Sequence, residues 1–241
     1  MIISVLGSNS SGNCYVLHND KEALILEAGI KFLDVQKVID FNLSKVVGCL
    51  VTHEHGDHSK YVEQYIDKSV DVFASQGTID GIKFKKNREP IAIELLKMFE
   101  VGNFKILAFP TKHDSNQPVG FFIKHDDFGT LLFATDTYYL EYKFEGLTNV
   151  MIECNYDINL LNENVDSGKI HFVRKQRTIQ SHMSIKTCKD TLLSNDLSKV
   201  DNIVLIHLSE ENSNEHEFKK EIQGTTGKMV HIAKKGIDIY L

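Results

Sequence analysis

A histidine-rich segment that follows an apolar run contains the residue types best suited to chemistry. The chain places four of them within six positions, as His53, His55, Asp57 and His58. Imidazole and carboxylate groups together are the ligands that zinc, manganese and iron select in proteins. Gly56 permits a tight loop in which alternate side chains converge. This segment, which we call the histidine loop (residues 53–58), therefore predicts a metal site rather than a solvated polar loop.

One loop of this size cannot complete a site for two metal ions, so further ligands are expected at the ends of later strands. Three candidates follow later apolar runs, namely His113, Asp136 and His207. Each of them alone is explained equally well as an ordinary loop residue. Together with the histidine loop, they predict a site for two divalent metal ions, with zinc as the first choice and manganese as the second.

Apolar runs between turn-rich stretches predict the elements that must position these residues. Strands are predicted at residues 2–6, 14–17, 23–26, 46–51, 71–74, 105–109, 119–124, 130–134, 150–153, 203–206, 229–232 and 237–240. Helices are predicted at residues 33–41, 77–84, 184–193 and 215–222, with Ser184 as an N-cap. Residues 7–13 are predicted to form a long polar turn and residues 126–129 a hairpin turn. Strands with interspersed helices predict an α/β fold in which helices cover sheet layers.

The composition is that of an ordinary globular protein, with 42% hydrophobic and 25% charged residues in a chain of 241. We expect a single domain over residues 1–241. Because the start of the chain lacks a signal peptide and no apolar run is long enough to span a membrane, a cytoplasmic protein without membrane contact is expected. The four cysteines lack C-x-x-C spacing, which predicts buried free thiols. A net charge of −6 disfavours a long track for nucleic acid.

The histidine loop and the later candidates resemble the ligand set of the metallo-β-lactamase superfamily. That resemblance covers nearly the whole chain and implies an αββα sandwich of two mixed sheets flanked by helices. The ligands that it implies for one metal ion are His53, His55 and His113. Those for the other are Asp57, His58 and His207, with Asp136 as the bridge. A histidine at position 58 is similar to phosphodiesterase and glyoxalase-type members rather than to many true β-lactamases.

Three further stretches resemble the YycJ-like branch of that superfamily. They are residues 7–14, 181–184 and 207–212. This branch is related to RNase Z and to PhnP-type cyclic phosphodiesterases, and phage anti-Pycsar enzymes that degrade cyclic-nucleotide signals belong nearby. The resemblance implies a phosphodiesterase in which a hydroxide between two metal ions attacks phosphorus, with Asp57 and His182 as catalytic residues. His182 is expected to be the general acid or to bind phosphate, the alternative being a helix-capping role.

Several other residues are candidates for orienting ligands or for binding substrate. Asp114 and Glu153 are carboxylates that either orient metal ligands or face solvent. The basic segment 167–177 is either a mobile lid that supplies cations to a phosphate or a solvated loop. Its candidate residues are Lys169, His171, Arg174, Lys175 and Arg177. Tyr138 and Tyr139 either stack on a base or simply pack.

The preferred substrate class is 3′,5′-cyclic nucleotides, which would be opened to nucleoside monophosphates. The acidic balance and the absence of an inserted arm like that of RNase Z favour this small substrate. The alternative is a DNA or RNA nuclease of the YycJ or RNase Z type. A thioester hydrolase and a non-catalytic metal-binding scaffold are more distant alternatives. The resemblance also implies a homodimer.

Overall fold

The structure is a computed structural model that describes residues 1–84 and 88–241. The strands, in chain order, are β1 (Ile2–Asn9), β2 (Gly12–His18), β3 (Ala23–Leu26), β4 (Val46–Leu50), β5 (Val72–Ala74), β6 (Ile91–Ala92), β7 (Met98–Val101), β8 (Phe104–Pro110), β9 (Val119–His125), β10 (Gly129–Ala134), β11 (Asn149–Glu153), β12 (Asn202–Ile206), β13 (Met229–Ile232) and β14 (Asp238–Tyr240). The helices are α1 (Phe32–Val38), α2 (Gly56–Ser59), α3 (Val62–Asp67), α4 (Gln76–Gly81), α5 (Ile158–Asp166), α6 (Phe172–Ser181), α7 (Ile185–Leu193) and α8 (Glu215–Thr226).

These strands form two mixed sheets of seven strands each. The first has the order β14-β1-β2-β3-β4-β5-β6, and the second has the order β13-β12-β11-β10-β9-β8-β7. In the first sheet β3 to β6 run parallel, and in the second β10 to β13 do. Strand β8 has the same direction as β10, because both are antiparallel to β9. The carboxyl ends of β8, β10, β11 and β12 therefore share one edge, which is where binding sites form in such sheets.

Alternate residues of each strand face opposite sides of the sheet. Apolar side chains on one side pack between the two sheets, and those on the other side pack beneath helices. Leu24 and Leu26 of β3 lie in the layer between the sheets, together with Phe121 and Phe133. Ile25, between the two leucines, faces the opposite way, into the layer beneath α1 and α3. On the outer face of the second sheet, residues of β10 to β12 pack beneath α7 and α8. The predicted αββα sandwich is confirmed.

Most predicted strands agree with the structure to within one or two residues. The prediction of a long polar turn at residues 7–13 was wrong. Residues 7–13 do not form a long turn, because β1 and β2 continue through them as a hairpin that pairs Gly7 with Cys14 and Asn9 with Gly12. Backbone pairing does not require apolar side chains, so the polar sequence concealed the strands. The predicted hairpin turn after β9 is confirmed.

The helices differ more from prediction than the strands do. Helix α1 ends at Val38 because Asp40 and Phe41 adopt positive φ angles of 51° and 58°. Helix α4 ends at Gly81, before the predicted end at residue 84, whereas α8 extends four residues beyond its predicted end at residue 222. Helices α2, α3, α5 and α6 and strands β6 and β7 were not predicted. Ser184 caps α7 as predicted, by accepting a hydrogen bond from the Thr187 N–H.

The prediction for the cysteines is confirmed. All four cysteines are buried and unpaired. Among the described helices, none has both the length and the apolar character needed to cross a lipid bilayer.

Candidate metal centre

The strand ends bring the seven predicted ligands to one edge of the sandwich. The histidine loop follows β4 and enters α2, which carries Asp57 and His58. His113 follows β8, Asp136 follows β10 and His207 directly follows β12. Asp136 and His207 adopt positive φ angles of 42° and 53°, a backbone strain that is typical of functional sites.

The side chains of these residues fall into overlapping groups with the geometry of metal sites. One group contains His53, His55 and His113, and a second contains Asp57, His58, Asp136 and His207. A third contains Asp136, Glu153, His182 and His207. Within each group the possible ligand atoms lie within 4.8 Å of one another. Asp136 Oδ2 is 3.7 Å from His53 Nε2 and 3.4 Å from His58 Nε2, so this carboxylate stands between the first two groups.

Hydrogen bonds on the outer side of the imidazole rings fix how two of the histidines point, and an ion pair faces the outer side of a third. The His113 Nδ1–H donates to the Ser181 carbonyl at 2.7 Å, which leaves Nε2 facing the cluster. Thr52 Oγ1 lies 2.9 Å from His53 Nδ1 and orients that ring in the same way. Glu27 Oε1 lies 3.5 Å from His58 Nδ1. Such outer partners set the tautomer and direction of metal-binding histidines.

Several buried polar atoms at this edge lack a hydrogen bond, which provides a test of whether metal ions fit. His53 Nε2, His58 Nδ1, Asn13 Oδ1 and Glu27 Oε1 are all buried without a hydrogen bond. Buried polar atoms are normally satisfied, and His53 Nε2 points into a cluster of nitrogen and carboxylate donors. Imidazole with carboxylate suits divalent zinc, manganese or iron without distinguishing between them. The residues therefore fit divalent metal ions.

The electrostatics of the cluster also favour cations. Burial would raise the pKa of Asp57, but hydrogen bonds from His207 and His58 outweigh it and hold that pKa well below its ordinary value. Burial would lower the pKa of His207, but the nearby Asp136, Asp57 and Glu153 raise it to about 10. The pKa of His53 is lowered, chiefly by burial, so this ring is neutral and able to bind metal.

His182 lies beside the ligand cluster and is held by Glu153. The His182 Nδ1–H donates to Glu153 Oε1 at 2.6 Å, and the other carboxylate oxygen accepts from the Thr137 and Met183 N–H groups. Glu153 is fully buried at the end of β11, whereas His182 retains 22% exposure and lines the cleft. Burial would lower the pKa of His182, but Glu153 raises it. His182 follows α6 directly, so the predicted loop position ahead of α7 is confirmed.

An open cleft of about 490 Å³ leads to the cluster, and α6 forms one wall of it. Residues 167–177 were predicted to form a lid or a loop. That prediction was wrong for residues 172–177, which belong to α6. This helix has little apolar surface facing the core, and within it only Ser181 is buried. Arg174 and Arg177 face the cleft and pair with Glu211 and Asp114 at 2.9 Å and 2.8 Å.

The remaining substrate-binding candidates lie outside the cleft lining. The His171 side chain caps α6 by accepting a hydrogen bond from the Val173 N–H. Lys169, Lys175, Tyr138 and Tyr139 are not among the residues that line the cleft, and both tyrosines are exposed. Their binding to substrate remains a prediction.

Sequence reasoning missed other residues that the structure places at this edge. Glu27, at the end of β3 with a φ angle of 69°, contacts His58 and accepts from the Thr52 N–H at 3.3 Å. The Asn13 side chain donates to Asp57 Oδ2 at 3.3 Å. Asn155 contacts His207, and Asn9 and Ser10 line the cleft. The only sequence signal for Glu27 was a carboxylate at the end of an entirely apolar strand.

The sequence is similar to a known protein family and to two exodeoxyribonucleases. Residues 36–208 match the family model described as the Beta-lactamase superfamily domain. The chain is 28% identical over 226 residues to exodeoxyribonuclease WalJ of Streptococcus pneumoniae serotype 2 (strain D39), with 87% of this chain and 82% of WalJ covered. It is 26% identical over 226 residues to exodeoxyribonuclease YycJ of Bacillus anthracis, with 87% and 83% covered.

Solved structures of other proteins share this fold. The metallo-β-lactamase fold protein YhfI from Bacillus subtilis superposes with a TM-score of 0.72 at 15% identity, covering 99% of this chain and 98% of YhfI. At that identity the similarity concerns the fold alone.

Proposed function

This chain belongs to the β-lactamase superfamily and is a metal-dependent hydrolase, and on that basis we propose that it is a nuclease that hydrolyses phosphodiester bonds of DNA from a strand end. The similarity to two exodeoxyribonucleases over 87% of the chain is the observation that carries the choice of substrate. The cleft supports it, because it combines a metal-ligand cluster with two arginines and a histidine.

The ligands that we propose for one metal ion are His53, His55 and His113. Those for the second ion are Asp57, His58 and His207, with Asp136 between the two groups. Divalent ions bound there would supply Lewis acidity, which offsets charge on the phosphate oxygens and makes water more acidic. Thr52 and the Ser181 carbonyl hold the His53 and His113 rings in the required direction.

His182 is the residue that we propose as proton donor to the leaving oxygen of the sugar. Because its Nδ1–H is occupied by Glu153, the Nε2 atom is the one available to substrate. Its ring stacks against His207 with a centroid separation of 5.4 Å and an interplanar angle of 16°, which places it beside the proposed ligands. Glu153 is then a positioning residue that fixes both the tautomer and the angle of His182.

Arg174 and Arg177 are the cations that we propose for binding the phosphate. Both are ion-paired at the rim of the cleft, so a phosphate must compete with Glu211 and Asp114 for them. Arginine suits this role because its planar group can donate two parallel hydrogen bonds to a phosphate.

The test is hydrolysis of end-labelled single-stranded DNA by protein loaded with zinc or manganese. The wild type and the matched control His216→Ala, an exposed histidine of α8, are expected to shorten the strand progressively. The variant His55→Ala is expected to be inactive. If the wild type binds metal but releases no nucleotides from DNA or RNA, the nuclease proposal is wrong.

A second candidate function, hydrolysis of 3′,5′-cyclic nucleotides, is favoured by the size of the cleft and by the charge. A cleft of about 490 Å³ accommodates one small ligand, and the net charge of −6 is unusual for a protein that follows a long nucleic acid. The same proteins assayed with a panel of cyclic nucleotides distinguish the two. Conversion to nucleoside monophosphates without DNA degradation would favour this second candidate.

The homodimer and the cytoplasmic location also remain proposals. Light scattering of the purified protein measures the first, and a single species with the mass of one chain would contradict it.

A further inference from the structure

A second groove adjoins the metal cleft on the side of the β1–β2 hairpin. Its volume is about 520 Å³, close to the 490 Å³ of the cleft. The two cavities adjoin at Asn9, Leu208, Ser209 and Glu210, which line both of them. We call this second cavity the hairpin groove. A space of this size is comparable to a pocket for one small ligand, so the pair has room for about two.

The groove opens at the same edge of the sandwich as the proposed metal centre. Strand β13 is parallel to β12, which ends next to His207. The residues that follow β13 therefore emerge beside that histidine, and Lys234 and Lys235 line the groove there. On the other side, the hairpin contributes Ser11, beside the Ser10 that lines the metal cleft. The groove thus lies directly beside the cleft, at the same edge.

Two lysines and two glutamates line the groove, and only one lysine and one glutamate of these are ion-paired with each other. Lys234 is ion-paired with Glu215, and Glu210 accepts a hydrogen bond from the Asn9 side chain at 3.4 Å. Lys235 is exposed, and no ion-pair partner for it occurs among residues 1–84 and 88–241. Lys235 can therefore bind an anion without giving up an ion pair. Arg174 and Arg177 in the cleft are already ion-paired with carboxylates.

The other lining groups match the chemistry of a sugar-phosphate chain. Phosphate and sugar oxygens are bound in nucleic-acid complexes by lysine, serine and asparagine side chains. Ser11 and Ser213 supply hydroxyl groups in the groove, and Leu208 and Ile232 supply apolar surface against which a sugar or base can pack. A mononucleotide held in the cleft would not reach a groove of equal volume beyond it.

We propose that the hairpin groove binds single-stranded DNA beyond the bond that is cut, with Lys235 contacting a backbone phosphate. This inference deepens the proposed nuclease function and rests on it. The groove would then distinguish a strand, which extends into it, from a mononucleotide, which does not.

The test compares a labelled thymidine dodecanucleotide with the mononucleotide ester thymidine 5′-p-nitrophenyl phosphate. For Lys235→Ala, the dissociation constant for the strand is expected to rise roughly tenfold at low salt, and the slope of log affinity against log salt to fall by about one. Hydrolysis of the mononucleotide ester is expected to be unchanged. The matched control is Lys199→Ala, an exposed lysine that precedes β12 at the opposite edge.

The possible outcomes separate the groove from the nuclease proposal. If Lys235→Ala binds the strand as tightly as Lys199→Ala while the wild type degrades DNA, the groove inference is wrong and the nuclease stands. If Lys235→Ala weakens hydrolysis of both substrates equally, the groove does not discriminate and the inference is also wrong. If the wild type degrades no DNA, the nuclease proposal fails, and fluorescence anisotropy of the bound strand still decides whether Lys235 contacts it.

Discussion

Two opposite edges of the sandwich both contain buried ionisable residues, but only one of them leaves polar atoms unsatisfied. At the edge away from the cleft, Glu22 precedes β3, and His125 ends β9. The Asn103 side chain and the His125 Nε2–H donate to one oxygen of Glu22 at 2.8 Å and 3.0 Å, and the Asn103 N–H donates to the other at 3.1 Å. We call these three residues the Glu22 network.

The comparison distinguishes polar groups that stabilise the fold from those arranged to bind a ligand. In the Glu22 network the carboxylate and the ring nitrogens of His125 all have partners, since His125 Nδ1 accepts from the Asp127 N–H. At the edge that holds the proposed metal ligands, His53 Nε2 is buried without a hydrogen bond and faces the cluster. A fold tolerates such atoms where a bound ion compensates for them. The two edges are therefore expected to respond differently to substitution.

The largest expected effect is that of Asp136→Asn on hydrolysis. Removing the charge between the two ligand groups weakens metal binding and loses about 4 kcal/mol of transition-state stabilisation, so kcat is expected to fall roughly a thousandfold. Steady-state kinetics measure the rate, and the metal content of the purified variant is determined in parallel. A variant that keeps its full metal content and rate would contradict the role of Asp136.

A smaller effect is expected for Glu153→Gln, which leaves the proposed ligands in place but alters what holds His182. Outer partners of this kind are worth about 10- to 100-fold in activity or metal affinity. The pH profile of kcat is expected to shift as well, because Glu153 raises the pKa of His182.

A double variant shows whether Glu153 acts through His182. Glu153→Gln combined with His182→Ala is expected to be no slower than His182→Ala alone. An additive loss in the double variant would show that Glu153 acts independently.

At the opposite edge, Glu22→Gln is expected to destabilise the fold without affecting catalysis. The amide places an N–H group against the donors of Asn103 and His125, which costs about 2 kcal/mol of unfolding free energy. Urea unfolding measures that cost. Because the network is far from the cleft, kcat and metal content are expected to be those of the wild type, and a loss of either would break the distinction between the edges.

The smallest effect is the pH dependence of that stability difference. Burial would raise the pKa of Glu22, but hydrogen bonds from Asn103 and His125 outweigh it and lower that pKa. The folded state therefore binds this proton less readily than the unfolded state. The advantage of the wild type over Glu22→Gln is fully present above the ordinary carboxyl pKa and is lost as pH falls through the lowered value. Urea unfolding at neutral and acidic pH checks this, and a gap that stays constant would exclude it.

The sequence predicted well which residues would lie together at the edge of the proposed metal site, because these residues follow apolar strands. The strands before the histidine loop, Asp136 and His207 are continuous apolar runs, and parallel strands bring their carboxyl ends together. The sequence also indicated the position of Glu153, at the end of a predicted strand. Its partner His182 lies 29 residues later, behind two helices, so the contact depends on packing that local patterns do not encode.

Helix α6 shows why other parts could not be predicted. Its apolar residues Phe172, Val173 and Ile179 are exposed, because the helix stands at the rim of the cleft and buries only Ser181. Periodicity identifies helices that pack an apolar stripe against a core, whereas most residues of α6 are charged or polar. The hairpin at residues 7–13 was missed for a related reason, since its strands are held by backbone pairing.

Metal content per chain tests the central claim most directly. The wild type, Glu22→Gln and Asp136→Asn are incubated with zinc or manganese, dialysed, and measured by elemental analysis. We expect about two metal ions per chain in the wild type and in Glu22→Gln, and clearly fewer in Asp136→Asn. A wild type that retains no metal, or a loss of metal in Glu22→Gln equal to that in Asp136→Asn, would contradict the assignment of this edge as a metal centre.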